Sequence, residues 1–330
     1  MSRAIIAIRG PALRCAIIAA LLARQWSGLG RRIVVKPDWS GEGGELLLRP
    51  GFARFHGEIR LDGKALGDGR VAFAYDVDCG DGTVSLPFAP FGIANRGVAF
   101  HHYWRRAEAL GEMAQLTDYA LALALHEADR TPDKQLLARL RVEQGVWVGR
   151  EAYARTLLAH SGVEEGGAGE ICDLAIDCDA PHDDWIDNTL RLHIAADIPG
   201  IEWLACVNAA RRIVRLAADL PSAGPARREY LRLARHEHER IADMRALLAA
   251  ATPTPALERK VALFTACGRI PMEDFEVFTQ PEWLAALWAK DHRPARHDRM
   301  ADAMPPADLT RWLRELGAQI RQLAGQGAAA

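Results

Sequence analysis

At 330 residues, with 49% hydrophobic and 25% charged residues, the chain has the size and composition of a globular protein of one large domain or two. Its formal net charge of −2 at pH 7 excludes the strongly basic surface that binds nucleic acid or an anionic membrane. No uncharged apolar run approaches the roughly 18 residues of a membrane span, so we expect no nucleic-acid partner and no membrane partner.

The first predicted elements are a buried strand, a tight turn and a helix within residues 4–24. Residues 4–8 form a short apolar run rich in isoleucine, Gly10-Pro11 is a turn signal, and residues 16–24 are mostly apolar and favour a helix. A secretion signal would explain only one of the two apolar runs. The pattern instead predicts the opening of a dinucleotide-binding unit, where a G-x-G-x-x-G turn is usual.

The remaining predicted elements form an α/β core followed by helices. Strands are predicted at residues 31–36, 71–75, 84–88 and 170–178, with a further candidate at 190–195, and residues 37–69 are predicted as a glycine-rich loop. Helices are predicted at residues 104–127 with a break near 117, and at 132–143, 149–160, 201–219, 226–250, 255–266, 281–290 and 306–324. We predict an α/β domain at residues 1–221 and a helical C-terminal region at residues 226–330 packed on it.

The six cysteines are scattered at positions 15, 79, 172, 178, 206 and 267, without a C-x-x-C pair. Several lie in apolar runs. We therefore expect buried free thiols in a reducing cytoplasm rather than disulfides or a zinc site.

Two parts of the sequence carry a more specific signal. The first comprises Pro90-Phe91-Gly92, residues 97–106 (GVAFHHYWRR) and residues 116–119 (LTDY). The second comprises residues 228–243, 263–264, 268–270, 276–279, 283–284, 292–294 and 302–303, in this order. Together they resemble the flavin-dependent tryptophan halogenase family.

The resemblance implies a Rossmann-like, FAD-binding-type α/β core with a halogenase-type helical C-terminal region. It also implies a chemistry in which FAD, reduced by a separate reductase, reacts with oxygen and chloride. In the family, a lysine and a glutamate then activate the halogen at the tryptophan ring. The cofactor supplies the oxygen chemistry and the protein supplies binding and positioning.

The cofactor-binding turn departs from the family pattern. The three family glycines correspond to Gly10, Ala12 and Cys15. The methyl group of Ala12 crowds the approach of the phosphates, and the thiol of Cys15 strains the close packing of helix and strand. Pro11 also removes one N–H that could face a phosphate. We therefore expect FAD binding to be weak or lost.

The ribose-binding carboxylate is also displaced. It is expected at the end of the second strand, where Lys36-Pro37 stands, and Asp38 lies two residues further on as a substitute. The glycine-rich residues 41–45 resemble a family G-V-G-E loop with a shifted register.

The catalytic pair is incomplete. The family F-K-L-G motif corresponds to residues 70–74 and places Ala72 at the lysine, while Lys64 and Arg70 lie elsewhere. With a shift of one residue, Glu202 corresponds to the catalytic glutamate, although a plain acidic residue in the first turn of a helix is an equal alternative. The family W-x-W-x-I-P motif is absent, because little sequence separates residue 178 from Glu202.

Other polar clusters are interpreted as structural, and no metal site is predicted. His101 and His102 are adjacent and should diverge, so packing or hydrogen bonding is favoured over metal binding. The His236–Glu239 stretch and Arg211-Arg212 are interpreted as solvated helix surface, and the aspartates of residues 173–184 as a surface loop.

We therefore predict a truncated, degenerate member of the family, a cytoplasmic pseudoenzyme without halogenase activity that acts as a binding or interaction protein. Its expected partner is a full-length halogenase homologue, a second copy in a homodimer, or a flavin reductase. The alternative is an FAD-dependent oxidoreductase or monooxygenase with altered chemistry, using Glu202 with His101 or His102 nearby. A third option is a decayed gene product without a selected role.

Overall fold

The computed structural model describes residues 4–63, 67, 69–111, 114–133, 135, 142–166, 172–218 and 224–325. The chain divides into two compact units, each assembled from two stretches. The first unit comprises Met1–Arg70 and Gly145–Glu239, and the second Val71–Gln144 and Arg240–Ala330. The domains predicted from the sequence, 1–221 and 226–330, are each one continuous stretch, whereas each of these units combines two separate stretches. The predicted domains stay a prediction.

The secondary structure alternates strands and helices before a helical C-terminal third. The strands are β1 (Ile5–Pro11), β2 (Arg32–Asp38), β3 (Glu45–Leu48), β4 (Arg70–Ala72), β5 (Ala74–Asp78), β6 (Thr83–Pro87), β7 (Gly145–Gly149), β8 (Glu164–Glu165), β9 (Leu174–Asp177), β10 (Asp184–Ile186) and β11 (Thr189–Arg191). The helices are α1 (Ala12–Gln25), α2 (Phe52–Ile59), α3 (Phe100–Ala109), α4 (Leu121–Glu127), α5 (Arg150–Ser161), α6 (Ile201–Leu216), α7 (Gly224–Leu248), α8 (Pro255–Cys267), α9 (Gln280–Ala289) and α10 (Pro306–Gly325).

The first unit is built on a six-stranded sheet with strand order β10-β11-β9-β1-β2-β8. β1 lies in the middle and pairs in parallel with both β2 and β9. Among the described residues of this sheet, the only antiparallel pair joins β10 to β11, and the other pairs are parallel. The mixed α/β class, with its mainly parallel sheet and helical C-terminal region, confirms the predicted fold class.

The predicted strand and helix within residues 4–24 are confirmed as β1 and α1. The predicted turn at Gly10-Pro11 is instead the end of β1, and α1 follows it directly. Side chains of β1 alternate, with Ile6 and Ile8 buried. α1 buries ten of its fourteen residues, because it packs against the sheet and also contacts α5 and α6. A helix covered in this way must be apolar on nearly all faces, which is the composition seen in its sequence.

The predicted loop at residues 37–69 is wrong in part, because it contains β3 and α2. Leu46, Leu47 and Leu48 are buried, and β3 pairs antiparallel with β7. The many glycines around this short apolar run concealed it. Gly51, with φ of +94°, starts α2 directly after the strand.

The second unit combines the β5–β6 hairpin with α3, α4 and the C-terminal helices. The four predicted C-terminal helices are confirmed within two residues at each end. The predicted helix at 104–127 is two helices, α3 and α4, and most of the predicted helix at 132–143 lies outside the described residues. Trp104 packs edge-on against Trp288, with 4.9 Å between ring centroids, and contributes to the core of this unit.

Within the described part of the chain, no helix is long and apolar enough to span a membrane. All six cysteines are free thiols, and the predicted burial is confirmed for Cys15, Cys178 and Cys206. It is wrong for the other three, which are partly exposed.

Candidate functional site

The turn between β1 and α1 requires its single glycine for structural reasons. Gly10 has φ of +125°, and a Cβ at this position would lie 3.2 Å from Cβ of Cys178 at the end of β9. Both the backbone conformation and the close approach of β9 favour glycine. The glycine therefore has a role in the sheet that does not depend on a cofactor.

Ala12 and Cys15 are both fully buried on the first turn of α1. The Cys15 thiol donates to the Gly10 carbonyl at 3.4 Å. Its hydrogen bond to Cys178, together with burial, raises the pKa of the Cys178 thiol well above its usual range. The larger residue at the third glycine position is thus accommodated by a thiol pair between α1 and the end of β9.

The N-terminus of α1 is occupied by a carboxylate of the chain itself. The Leu13 N–H donates to Glu42 Oε1 at 2.9 Å, and Glu42 is 3% exposed. Pro11 precedes the helix and has no N–H to offer. Glu42 belongs to the glycine-rich loop after β2, in which Gly41 and Gly44 have φ of +78° and +87°.

Four side chains form an ion-pair cluster around this N-terminus. Arg150 donates from Nε to Glu42 Oε2 at 2.7 Å and from Nη1 to Glu202 Oε2 at 2.7 Å. Arg14 donates from Nε to Glu202 Oε1 at 2.8 Å. We call Arg14, Glu42, Arg150 and Glu202 the arginine–glutamate cluster.

Glu202, the candidate catalytic residue, has both carboxylate oxygens engaged in this cluster. It lies in the first turn of α6 and is 5% exposed. Burial raises the pKa of Glu202, but the hydrogen bonds from Arg150 and Arg14 outweigh it, so the pKa lies below its usual range. An ionised, doubly paired carboxylate suits a structural role and has no proton to donate as a general acid.

Asp38, the candidate ribose ligand, lies at the expected edge of the sheet. It is exposed at the end of β2 and is in register with Pro11 of β1. Its Oδ1 accepts from the Ser40 N–H at 2.9 Å, and hydrogen bonds from Ser40 lower the pKa of this carboxyl. The Asp38 side chain therefore closes a local turn after the strand.

Ala72, at the family lysine position, is a buried residue that ends β4. Lys64 lies outside the described residues. Arg70 is engaged elsewhere, because its guanidinium pairs with Glu45 at 3.3 Å and lies over the ring of Trp147.

The segment from residue 178 to 201 is short, in agreement with the missing motif. It contains the β10–β11 hairpin, whose two strands have three residues each, before α6 begins at Ile201. Asp183, in this segment, pairs with His238 of α7 at 3.2 Å, so the prediction of a surface loop is wrong for this aspartate.

The sequence-based interpretation of Arg212 and Glu237 as solvated helix surface is wrong. Both side chains are buried, and Arg212 Nη1 donates to Glu237 Oε2. Asn208 also donates to Glu237 Oε1, at 2.7 Å. Arg212 lies one helical turn beyond Asn208 on a face of α6 that is otherwise apolar. A charged residue at such a position was the sequence signal for a buried ion pair.

His101 and His102 serve in hydrogen bonding, as predicted, although their rings do not diverge. The ring centroids are only 4.2 Å apart. His101 Nε2 donates to the Gly268 carbonyl at 2.8 Å, and His102 Nδ1 accepts from the Asp298 N–H at 3.2 Å. Burial, with the neighbouring His102, lowers the pKa of His101 to about 4. Among the residues that the structure describes, no group of three potential ligands could hold a metal ion.

Residues 205–306 match the family model described as tryptophan halogenase. This match covers about a third of the chain, within its C-terminal half. No curated protein matches the sequence.

Three solved structures define the likeness of fold. The flavin-dependent halogenase BrvH from Brevundimonas sp. BAL3 superposes with a TM-score of 0.84 at 17% identity, covering 99% of this chain and 97% of that one. Xcc4156, a flavin-dependent halogenase from Xanthomonas campestris, superposes with a TM-score of 0.83 at 16% identity, covering 99% of this chain and 96% of that one. The tryptophan 6-halogenase SttH from Streptomyces toxytricini superposes with a TM-score of 0.76 at 10% identity, covering 99% of this chain and 98% of that one. The chain therefore has the fold of these halogenases.

The described residues do not fit the diphosphate of FAD at this turn. A dinucleotide phosphate binds the free N–H groups at the helix N-terminus. Here the Leu13 N–H already donates to Glu42, and Pro11 has no N–H. The buried negative charge of Glu42 would also repel a phosphate placed beside it.

Proposed function

We propose that this member of the tryptophan halogenase family does not halogenate and acts as a binding or interaction protein. The observation that carries the proposal is the engagement of Glu202. Arg14 donates a hydrogen bond to Glu202 Oε1 at 2.8 Å, and Arg150 donates one to Glu202 Oε2 at 2.7 Å. The Glu202 residue is 5% exposed. Both oxygens are thus engaged by arginines of the same chain, and a substrate would have to compete with these contacts.

Two further features support the loss of halogenase chemistry. Ala72 has no group that could donate to hypochlorous acid or form a chloramine. The β10–β11 hairpin also replaces the longer substrate-side segment that the resemblance implies, and a closed pocket is what keeps water away from such chemistry.

A halogenation assay tests the proposal directly. The purified chain is incubated with FAD, a flavin reductase, NADH, oxygen, tryptophan or indole, and chloride or bromide. Products are measured by mass spectrometry beside an active flavin-dependent halogenase. We expect no halogenated product from this chain. Sustained turnover that is lost in Glu202→Gln would overturn the proposal.

The interaction role predicts a protein partner, and we propose a full-length halogenase homologue from the same source. Co-purification of a tagged chain with that homologue, followed by light scattering, tests this choice. A stable one-to-one complex supports it. A homodimer alone, or a complex with a flavin reductase alone, would replace the proposed partner with that one.

One observation favours the second candidate, a flavin enzyme with altered chemistry. Asp38 is exposed at the edge of the sheet beside the β1–α1 turn, where a ribose carboxylate is expected. Visible absorbance of the purified chain and fluorescence titration with FAD decide between the candidates. Stoichiometric flavin that is lost in Asp38→Asn supports the second candidate, and a colourless protein that ignores FAD excludes it.

A further inference from the structure

We infer that Glu42 is a built-in ligand of the α1 N-terminus, a carboxylate that takes the place of a cofactor phosphate and completes the first unit without a dinucleotide. This inference does not depend on the proposed loss of halogenase activity, because it concerns the ligand of α1 and not the reaction.

The first step is that α1 needs a partner at its N-terminus. The first N–H groups of a helix have no partner within the helix. In α1 the residue before the helix is a proline, which has no side-chain acceptor for the helix N–H groups, and the first turn has no acidic residue. Ala12, Leu13 and Cys15 are fully buried, so water does not reach these groups. A buried N–H without an acceptor costs about 1–3 kcal/mol.

The second step is that the loop after β2 is shaped to deliver a carboxylate there. Gly41 and Gly44 both have positive φ, which lets the chain turn on either side of Glu42. The Arg150 N–H donates to the Gly44 carbonyl at 3.0 Å and ties the loop to the start of α5. Glu42 is thereby held with Oε1 on the Leu13 N–H and Oε2 on the Arg150 guanidinium.

The third step is the charge balance of the arginine–glutamate cluster. Its two guanidinium groups face its two carboxylates, and both bind Glu202. Arg14 also pairs with the exposed Asp179 at 2.9 Å. Within this cluster no positive charge is left over for a diphosphate. An added phosphate would have to displace Glu42 and leave that carboxylate buried without its partners, which is costly.

The experiment is carboxylate removal followed by rescue. We measure the melting temperature of the wild type, Glu42→Ala and Glu42→Gln. Glu45→Ala is the control, because Glu45 is exposed at the start of β3, three residues from Glu42. We expect Glu42→Ala to lower the melting temperature by roughly 5–10 °C and Glu45→Ala to lower it by about 1 °C or less. Formate at tens of millimolar should restore part of the loss in Glu42→Ala and leave the wild type unchanged.

Three results would overturn the inference. One is a Glu42→Ala variant as stable as the wild type, and another is a destabilised variant that formate does not restore. If Glu42→Ala fails to fold, the melting temperature of Glu42→Gln and the FAD titration of the wild type still test the inference. The third is stoichiometric binding of FAD by the wild type with a rise in melting temperature. None of these readouts measures halogenation, so their failure is separate from that of the proposed function.

Discussion

Arg150 Nη1 lies 2.7 Å from Glu202 Oε2, and this contact joins the start of α5 to the start of α6 across 52 residues of sequence. The same guanidinium binds Glu42, so one arginine orders two buried carboxylates. Its removal leaves both charges without a major partner.

We expect Arg150→Ala to lower the free energy of unfolding of the first unit by about 3–5 kcal/mol, because breaking a buried ion pair leaves an uncompensated charge. The matched control is Arg155→Ala on the same helix, whose ion pair with Glu151 is solvent-exposed, and we expect about 0–1 kcal/mol there. Urea denaturation followed by circular dichroism measures both. Equal effects of the two substitutions would contradict the structural role of Arg150.

The second unit offers a similar comparison between neighbouring residues. Lys260 is fully buried, pairs with Glu276 at 2.8 Å and lies 3.9 Å from the ring centroid of Trp283. Lys260→Met should destabilise this unit by about 3–5 kcal/mol, since Glu276 is left buried and unpaired. Removing the second charge as well, in Lys260→Met with Glu276→Leu, should recover most of that loss.

The control for Lys260 is Arg259→Met. Arg259 precedes Lys260 on α8 and pairs with Glu273, but its side chain is largely exposed. We expect a change of about 0–1 kcal/mol in urea denaturation. If the Lys260 and Arg259 variants were equally stable, burial would not be what makes the Lys260 pair important.

Stability should fall in mild acid because each unit buries a neutral histidine. Burial lowers the pKa of His56, in the first unit, to about 4, and that of His101, in the second, to about 4, from an ordinary value of 6.5. Between these values the unfolded chain binds a proton on each ring and the folded protein does not. The free energy of unfolding therefore has its full value above pH 6.5. It decreases as the pH falls towards 4, by about 3 kcal/mol for each histidine.

Urea denaturation at intervals from pH 7.5 to pH 4.5 measures this dependence. His101→Gln should flatten the curve for the second unit, because glutamine can donate to the Gly268 carbonyl without titrating. His236→Gln is the control, since the His236 side chain is 41% exposed on α7. An unchanged slope in His101→Gln would show that another group governs the acid sensitivity.

The thiols should divide into two classes of reactivity. Cys15, Cys178 and Cys206 are buried, and burial raises the pKa of Cys206, while the Cys15 hydrogen bond and burial raise that of Cys178. We expect these three to resist Ellman's reagent in the native protein, because reaction requires an accessible thiolate. Cys79, Cys172 and Cys267 are partly exposed and should react first.

A count of reacted thiols, before and after denaturation with guanidinium chloride, tests this division. Peptide mapping after alkylation then identifies which cysteines reacted. Fast native labelling of Cys15 or Cys178 would show that the packing between α1 and the end of β9 opens readily.

The sequence alone determined the local elements and indicated a resemblance to a family. Alternating isoleucines, the Gly10-Pro11 turn and a nearly all-apolar helix define β1 and α1, because these patterns depend on neighbours only a few residues apart. The C-terminal helices were predicted within two residues for the same reason. The motifs at residues 90–119 and 228–303 also carried the family resemblance without any three-dimensional information.

Only the tertiary structure decided which groups meet at the α1 N-terminus. Glu42 and Leu13 are 29 residues apart, and Arg150 reaches Glu202 across 52. Ion pairs of this kind depend on which loops and helix ends meet, and charge patterning along a chain does not encode that meeting. The sequence could show that two glycines are absent from the phosphate turn, whereas the fold shows that a carboxylate of the same chain stands at the α1 N-terminus, because a buried helix end must be given an acceptor.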